Sequence, residues 1–166
     1  TPRAATVCVF AAILVELSFS DLETRILPDE FTLGGAAVGL VFAWFVPVSS
    51  APGLPSLTEA LLAAVVASGA LWLVGKLYRL IRRKEGLGGG DVRMVAMMGA
   101  FLGIEGVLLA LILGSVLGAV IGLAYILLTS KDAGAYELPF GTFLGLGALE
   151  VALFGQPVLH LYATFG

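Results

Sequence analysis

Asp21 and Asp91 are the residues whose type and placement most clearly suit chemistry. Asp21 follows directly on a run of apolar residues, and Asp91 follows Gly88, Gly89 and Gly90 and opens another such run. Two carboxylates that share a site cannot both ionise cheaply, so one keeps its proton near neutral pH while the other acts as a base. That division of labour suits activation of a water molecule against a peptide carbonyl. The three glycines allow positive φ angles and close approach of another chain, which a carboxylate needs if it is to reach a substrate backbone. Each aspartate also has a plainer reading. Asp91 could simply cap the helix it opens, and Asp21 could pair with Arg25, four residues on. Helix ends distinguish the two: Asp91 at an N-terminus is favoured as the anion and resting base, and Asp21 at a C-terminus as the member holding the proton.

The other ionisable residues rank lower. Glu16 lies inside an apolar run, where a charge is a functional candidate by default, but five residues from Asp21 it points about 140° away around a helix. Glu16 and Arg93 are kept as supporting candidates, and Glu150, inside the last apolar run, as a residue for a polar contact. Asp29 and Glu30 follow Pro28 and suit the first turn of a helix. Cys8 and His160, the single Cys and His, stand near opposite ends of the sequence, so no competing nucleophile set exists. A metal site would have to be all carboxylate, and neither metal nor cofactor is expected.

The elements that must position these residues are membrane helices. Of 166 residues, 59% are hydrophobic and only 13% charged, and 22 are glycine, with a mean hydropathy of +1.04. This composition excludes a soluble enzyme, a disordered tail and a fibre, and the small net charge of -3 gives no electrostatic case for nucleic acid. Six apolar segments are expected to form a single-domain, all-α bundle over residues 1–166: 4–20, 31–48, 57–80, 92–102, 106–129 and 139–162. The fourth is too short to cross a full bilayer and is expected to begin in a recess below the surface, opened by the glycine-rich loop. Gly114, Gly118 and Gly122, four apart, suit close packing of the fifth. Arg25 lies in the first connection, Lys76, Arg79, Arg82, Arg83, Lys84 and Arg93 around the third, and Lys131 in the fifth. The positive-inside rule therefore puts these connections, and both aspartates, on the cytoplasmic side and the N-terminus outside. The cluster around Arg79 reads as a topology and lipid-headgroup anchor.

Asp21-Leu22-Glu23-Thr24-Arg25-Ile26-Leu27-Pro28-Asp29, followed by Phe31-Thr32-Leu33, resembles the first conserved block of type IV prepilin peptidases. Glu85-Gly86-Leu87-Gly88-Gly89-Gly90-Asp91-Val92-Arg93-Met94 resembles their second block, the GxGD motif. Gly99-Ala100-Phe101-Leu102-Gly103 and Pro139-Phe140-Gly141 resemble further landmarks in the same order. Arg93 stands where the family usually has Lys, Met94 where it has Leu, and Gly34-Gly35 where Pro is frequent.

The resemblance implies an aspartyl endopeptidase of the bacterial inner membrane. Its substrates would be prepilins or pilin-like secretion subunits, presenting a hydrophobic N-terminal helix and losing a short basic leader at the cytoplasmic face. It assigns the catalytic pair to Asp21 and Asp91 and gives Asp29 no catalytic role. The start at Thr1, with no cysteine-rich domain ahead of it, suits either a short peptidase-only member or the C-terminal part of a longer one, and methyl transfer is not predicted from these residues. The rival reading is a small proton-coupled transporter or channel subunit with Glu16, Asp21, Asp91 and Glu150 as its relay. The gathering of charge at one level and the lack of an internal repeat argue against it.

Overall fold

The computed structural model describes residues 2–45, 55–83, 87–129 and 139–165, with side chains described up to Phe154. Each described apolar segment is helical: α1 (Pro2–Thr24), α2 (Asp29–Phe45), α3 (Leu57–Arg82), α4 (Gly89–Thr129) and α5 (Phe140–Phe165). The all-α expectation holds. Three helices, Arg3–Thr24, Leu57–Arg82 and Gly89–Leu128, are long and apolar enough to cross a membrane, and the chain is an integral membrane protein.

The expected fourth and fifth segments form one continuous element, α4, but Gly103 within it has φ 72° and ψ -178°, far from helical values. A left-handed φ strains any residue with a Cβ, so glycine is the residue suited to this break. On either side the chain runs in opposite directions. In the first arm, a Cβ on Gly75 of α3 would meet Leu87 just before α4, and a Cβ on Gly99 would lie 2.7 Å from the main chain of Ala63 and Ala64. This arm is therefore antiparallel to α3. In the second arm, Gly106 adjoins Val151 while Gly114 adjoins Phe143 and Leu144, which makes this arm antiparallel to α5. Gly114 and Gly118 lie against α5, the packing role expected of the four-residue glycine spacing.

The first arm is the centre of the bundle. Its Met94, Val95, Met97 and Met98 are fully buried, against Phe10, Leu14 and Leu17 of α1 and Leu144 of α5. Phe10 and Phe101 stack with ring centroids 4.6 Å apart. Most of the outward apolar side chains, such as Leu73, Val74, Leu80 and Ile121, are exposed, as lipid-facing positions of a membrane bundle must be.

The same contacts fix levels along the bundle. Leu87 lies beside Gly75, so Asp91, four residues later, is level with about Leu71, and α3 runs on from there to Arg82. Thr142 reaches Asp21, and its neighbour Phe143 adjoins Gly118, beyond which the second arm of α4 continues to Thr129. The extension is about eleven residues on α3 and somewhat more on α4, or roughly 16 Å and upward at 1.5 Å per residue. Both aspartates are thus set back from the C-terminal ends of α3 and α4.

Candidate active site

Asp21 occupies the last turn of α1, and the sequence there both ends the helix and fixes the chain that follows. Arg25 adopts a left-handed φ of 54° and donates its N–H to the Asp21 carbonyl at 3.0 Å. The Ser20 hydroxyl donates to the Ile26 carbonyl at 2.8 Å, and Thr24 Oγ1 donates to the Ser20 carbonyl and accepts the Ile26 N–H. This knot turns Leu27 inward, where it is buried. Leu27 lies 3.0 Å from where a Cβ on Gly90 would stand and 3.2 Å from one on Gly141. One side chain thereby wedges together the turn after α1, the start of α4 and the start of α5.

The Asp21 carboxylate is itself buried and is held from α5. The Thr142 N–H donates to Oδ2 at 2.7 Å, and the Thr142 hydroxyl donates to the same oxygen at 3.0 Å. The hydroxyl is also 3.2 Å from the Ser18 carbonyl. A Cβ on Gly141 would fall 3.1 Å from the carboxylate, so the residue before Thr142 must be small for α5 to come this close. The Thr142 main-chain N–H and hydroxyl together fix the position of the carboxylate from α5.

Asp91 stands in the first turn of α4, where its carboxylate accepts a hydrogen bond from the main chain of Gly88 and interacts electrostatically with Asp21. Because α4 begins at Gly89, Asp91 is its third residue and reaches back to the residue before the helix. Through Leu27, which packs against both Gly90 and Gly141, the start of α4 that carries Asp91 is brought beside the end of α1 that carries Asp21. The glycines permit positive φ, but among the described glycines only Gly103 adopts it. Gly89 and Gly90 already belong to α4, and their value lies in close approach, Gly90 to Leu27 above all.

Arg93 does not join the pair. It forms an ion pair with Asp29 in the first turn of α2, tying the second motif block to the first. Both side chains are about half exposed, so the pair orients the two helices and adds less than about 1 kcal/mol to stability. Glu16 and Glu150 are exposed on the outside of the bundle and are not brought to the aspartates. Among the described residues no three of His, Cys, Asp and Glu gather as metal ligands. Thr142 and Leu27 are the site residues that sequence reasoning missed. The landmark Pro139-Phe140-Gly141, ending one residue before Thr142, was the available signal.

The fold is that of a helical membrane protein with one buried aspartate, Asp21, at a helix end and another, Asp91, in the first turn of a broken helix. Over residues 8–123 the sequence matches the model of the type IV leader peptidase family, and the chain belongs to that family. It is 34% identical over 152 residues to the prepilin leader peptidase/N-methyltransferase of Stutzerimonas stutzeri, covering 92% of this chain and 50% of that protein. The protein of the same name from Legionella pneumophila is 34% identical over 153 residues, covering 92% and 51%. That of Xanthomonas campestris pv. campestris is 33% identical over 160 residues, covering 95% and 52%. The chain thus spans about half the length of the curated relatives it matches. No solved structure matches it.

Proposed function

We propose that this chain is a membrane aspartyl endopeptidase that removes the short basic leader from prepilins or pilin-like secretion subunits. The observation that supports the proposal is the packing of Leu27 against Gly90 and Gly141, which sets the helix end carrying Asp21 beside the helix start carrying Asp91, with Asp21 clamped by Thr142. One carboxylate takes a proton from water as the oxygen attacks the scissile carbonyl, and the other, protonated, donates to the carbonyl oxygen. Collapse of the tetrahedral intermediate breaks the C–N bond, and the proton taken from water passes to the leaving amine. Six spans place the site on the cytoplasmic side of the bacterial inner membrane, with the N-terminus of the chain outside. The break at Gly103 supports counting α4 as two of those spans. The exposure of Glu16 and Glu150, away from the aspartates, weighs against a relay across the bilayer.

The test is incubation of the chain, reconstituted in liposomes, with a prepilin peptide that has a Gly-Phe junction ahead of its hydrophobic segment. A single cut at the junction is expected. A folded chain that leaves the peptide intact would count against the proposal.

Thr142 acts as a positioning residue. Thr142→Val keeps the main-chain donor and removes the hydroxyl, and one lost hydrogen bond to a carboxylate, about 1.5 kcal/mol, corresponds to a fall in kcat of about tenfold. Thr142→Ser is expected to restore most of the rate with KM unchanged. Equal rates for the Val and Ser variants would show that the hydroxyl has no part in holding Asp21.

A further inference from the structure

On the α3 side of the glycine loop, Trp72, Lys76 and Arg79 of α3 line a cleft of about 360 Å³ with Gly88, Gly89 and Val92. We infer that this cleft binds the phosphate headgroup of an anionic phospholipid, with an acyl chain lying along α3. The cleft is separate from the aspartate pair, neither member of which lines it. Its volume lies within the usual range for a small-ligand site.

Lys76 and Arg79 are three residues apart and so share one face of α3, aiming two cationic groups at the same space. The Lys76 ammonium sits 4.6 Å from the Trp72 ring centroid. That contact holds the charge at the aromatic residue while leaving ammonium protons for an oxygen ligand. Gly88 and Gly89 bring the opening of α4 to the opposite wall, where the absence of side chains leaves room for a headgroup.

A free anion would need nothing more, but α3 continues the site in apolar form. Leu61, Val65 and Gly69 precede Trp72 at spacings of four, four and three, on the same helix face. Val65 is 69% exposed and Leu61 43% exposed, and no atom lies within 4 Å of a Cβ built on Gly69. The result is an apolar track leading from the cations along the helix, with an open notch at Gly69. A tryptophan beside basic residues at the end of an apolar helix face is the pattern of a membrane interface. Phosphate at Lys76 and Arg79 and hydrocarbon over Gly69 and Val65 match the two parts of a phospholipid.

The test uses Trp72 as its own reporter. With Trp44, the other tryptophan, replaced by Phe, the chain is reconstituted in phosphatidylcholine vesicles containing a rising minor fraction of phospholipid brominated on its acyl chains. The brominated lipid is phosphatidylglycerol in one series and phosphatidylcholine in the other. Half-maximal quenching of Trp72 is expected at about thirtyfold lower content of the anionic lipid, since Lys76 and Arg79 each contribute about 1 kcal/mol toward an anionic headgroup near a membrane surface. The preference is expected to vanish in Lys76→Gln/Arg79→Gln and to survive added inorganic phosphate. Equal quenching by the two lipids, or a preference that persists in the double variant, would overturn the site. Loss of the preference on adding inorganic phosphate would overturn the lipid as its occupant. The readout is binding alone, so it stands whether or not the chain cleaves prepilins.

Discussion

Asp21→Asn and Asp91→Asn are each expected to lower the rate of prepilin-peptide cleavage by about 10³-fold, within the range seen when a positioned acid or base is lost. Asn matches Asp in shape, and its carbonyl oxygen still accepts from the Thr142 N–H in the first variant and from Gly88 in the second. Both variants are therefore expected to fold and to melt close to the parent. In the proposed mechanism the two aspartates act on one water and one carbonyl, so the losses are not additive: the double variant is expected to be about as slow as either single one. The measurement is the initial rate in liposomes for the parent and the three variants, beside a melting curve for each. Retention of a tenth of the parent rate by either single variant would remove that aspartate from the chemistry.

Gly99→Val is expected to cost about 3 kcal/mol or more of stability, at the upper end of what overpacking a core does. The first Cβ added at Gly99 would stand 2.7 Å from the main chain of Ala63 and Ala64. Main chain cannot swing aside as a flexible side chain can, so α3 and the first arm of α4 must separate. That interface also fixes the depth of Asp91, and cleavage is expected to fall along with stability. Gly34 supplies the control, because nothing lies within 4 Å of a Cβ built there, and Gly34→Ala is expected to leave the unfolding midpoint near that of the parent. Unfolding in mixed micelles under denaturant reads both. Equal midpoints for Gly99→Val and the parent would contradict the close contact.

The parts of this architecture that depend on local chemistry were legible in the sequence. Apolar runs bounded by charge marked the helices, and Gly103 to Glu105 marked the turning point, where one residue type tolerates the backbone angle. Asp21 and Asp91 stood out because charge is scarce and each sits at the end of an apolar run. What escaped depends on residues that meet only in three dimensions. Thr142 lies 121 residues from Asp21 in the chain, and a threonine in an apolar run carries no mark of the carboxylate it will meet. The ion pair of Arg93 with Asp29 spans 64 residues and was hidden for the same reason. Leu27 read as one more apolar residue because its value is its shape, filling the space that Gly90 and Gly141 leave. Of the two properties that single out the glycines before Asp91, the structure uses one. Their small size is used, whereas left-handed backbone at Gly88, Gly89 and Gly90 is not.

The set-back of the aspartates behind the ends of α3 and α4 turns the bundle into a ruler. An extended peptide advances about 3.3 Å per residue, so a distance of about 16 Å is spanned by about five residues. A leader entering between the two overhanging helices in the proposed reaction would have to uncoil over about that many residues before its scissile bond reached Asp21 and Asp91. In the proposed reaction the position of the cut is thus measured from the mouth by helix length as well as read from the residues at the junction.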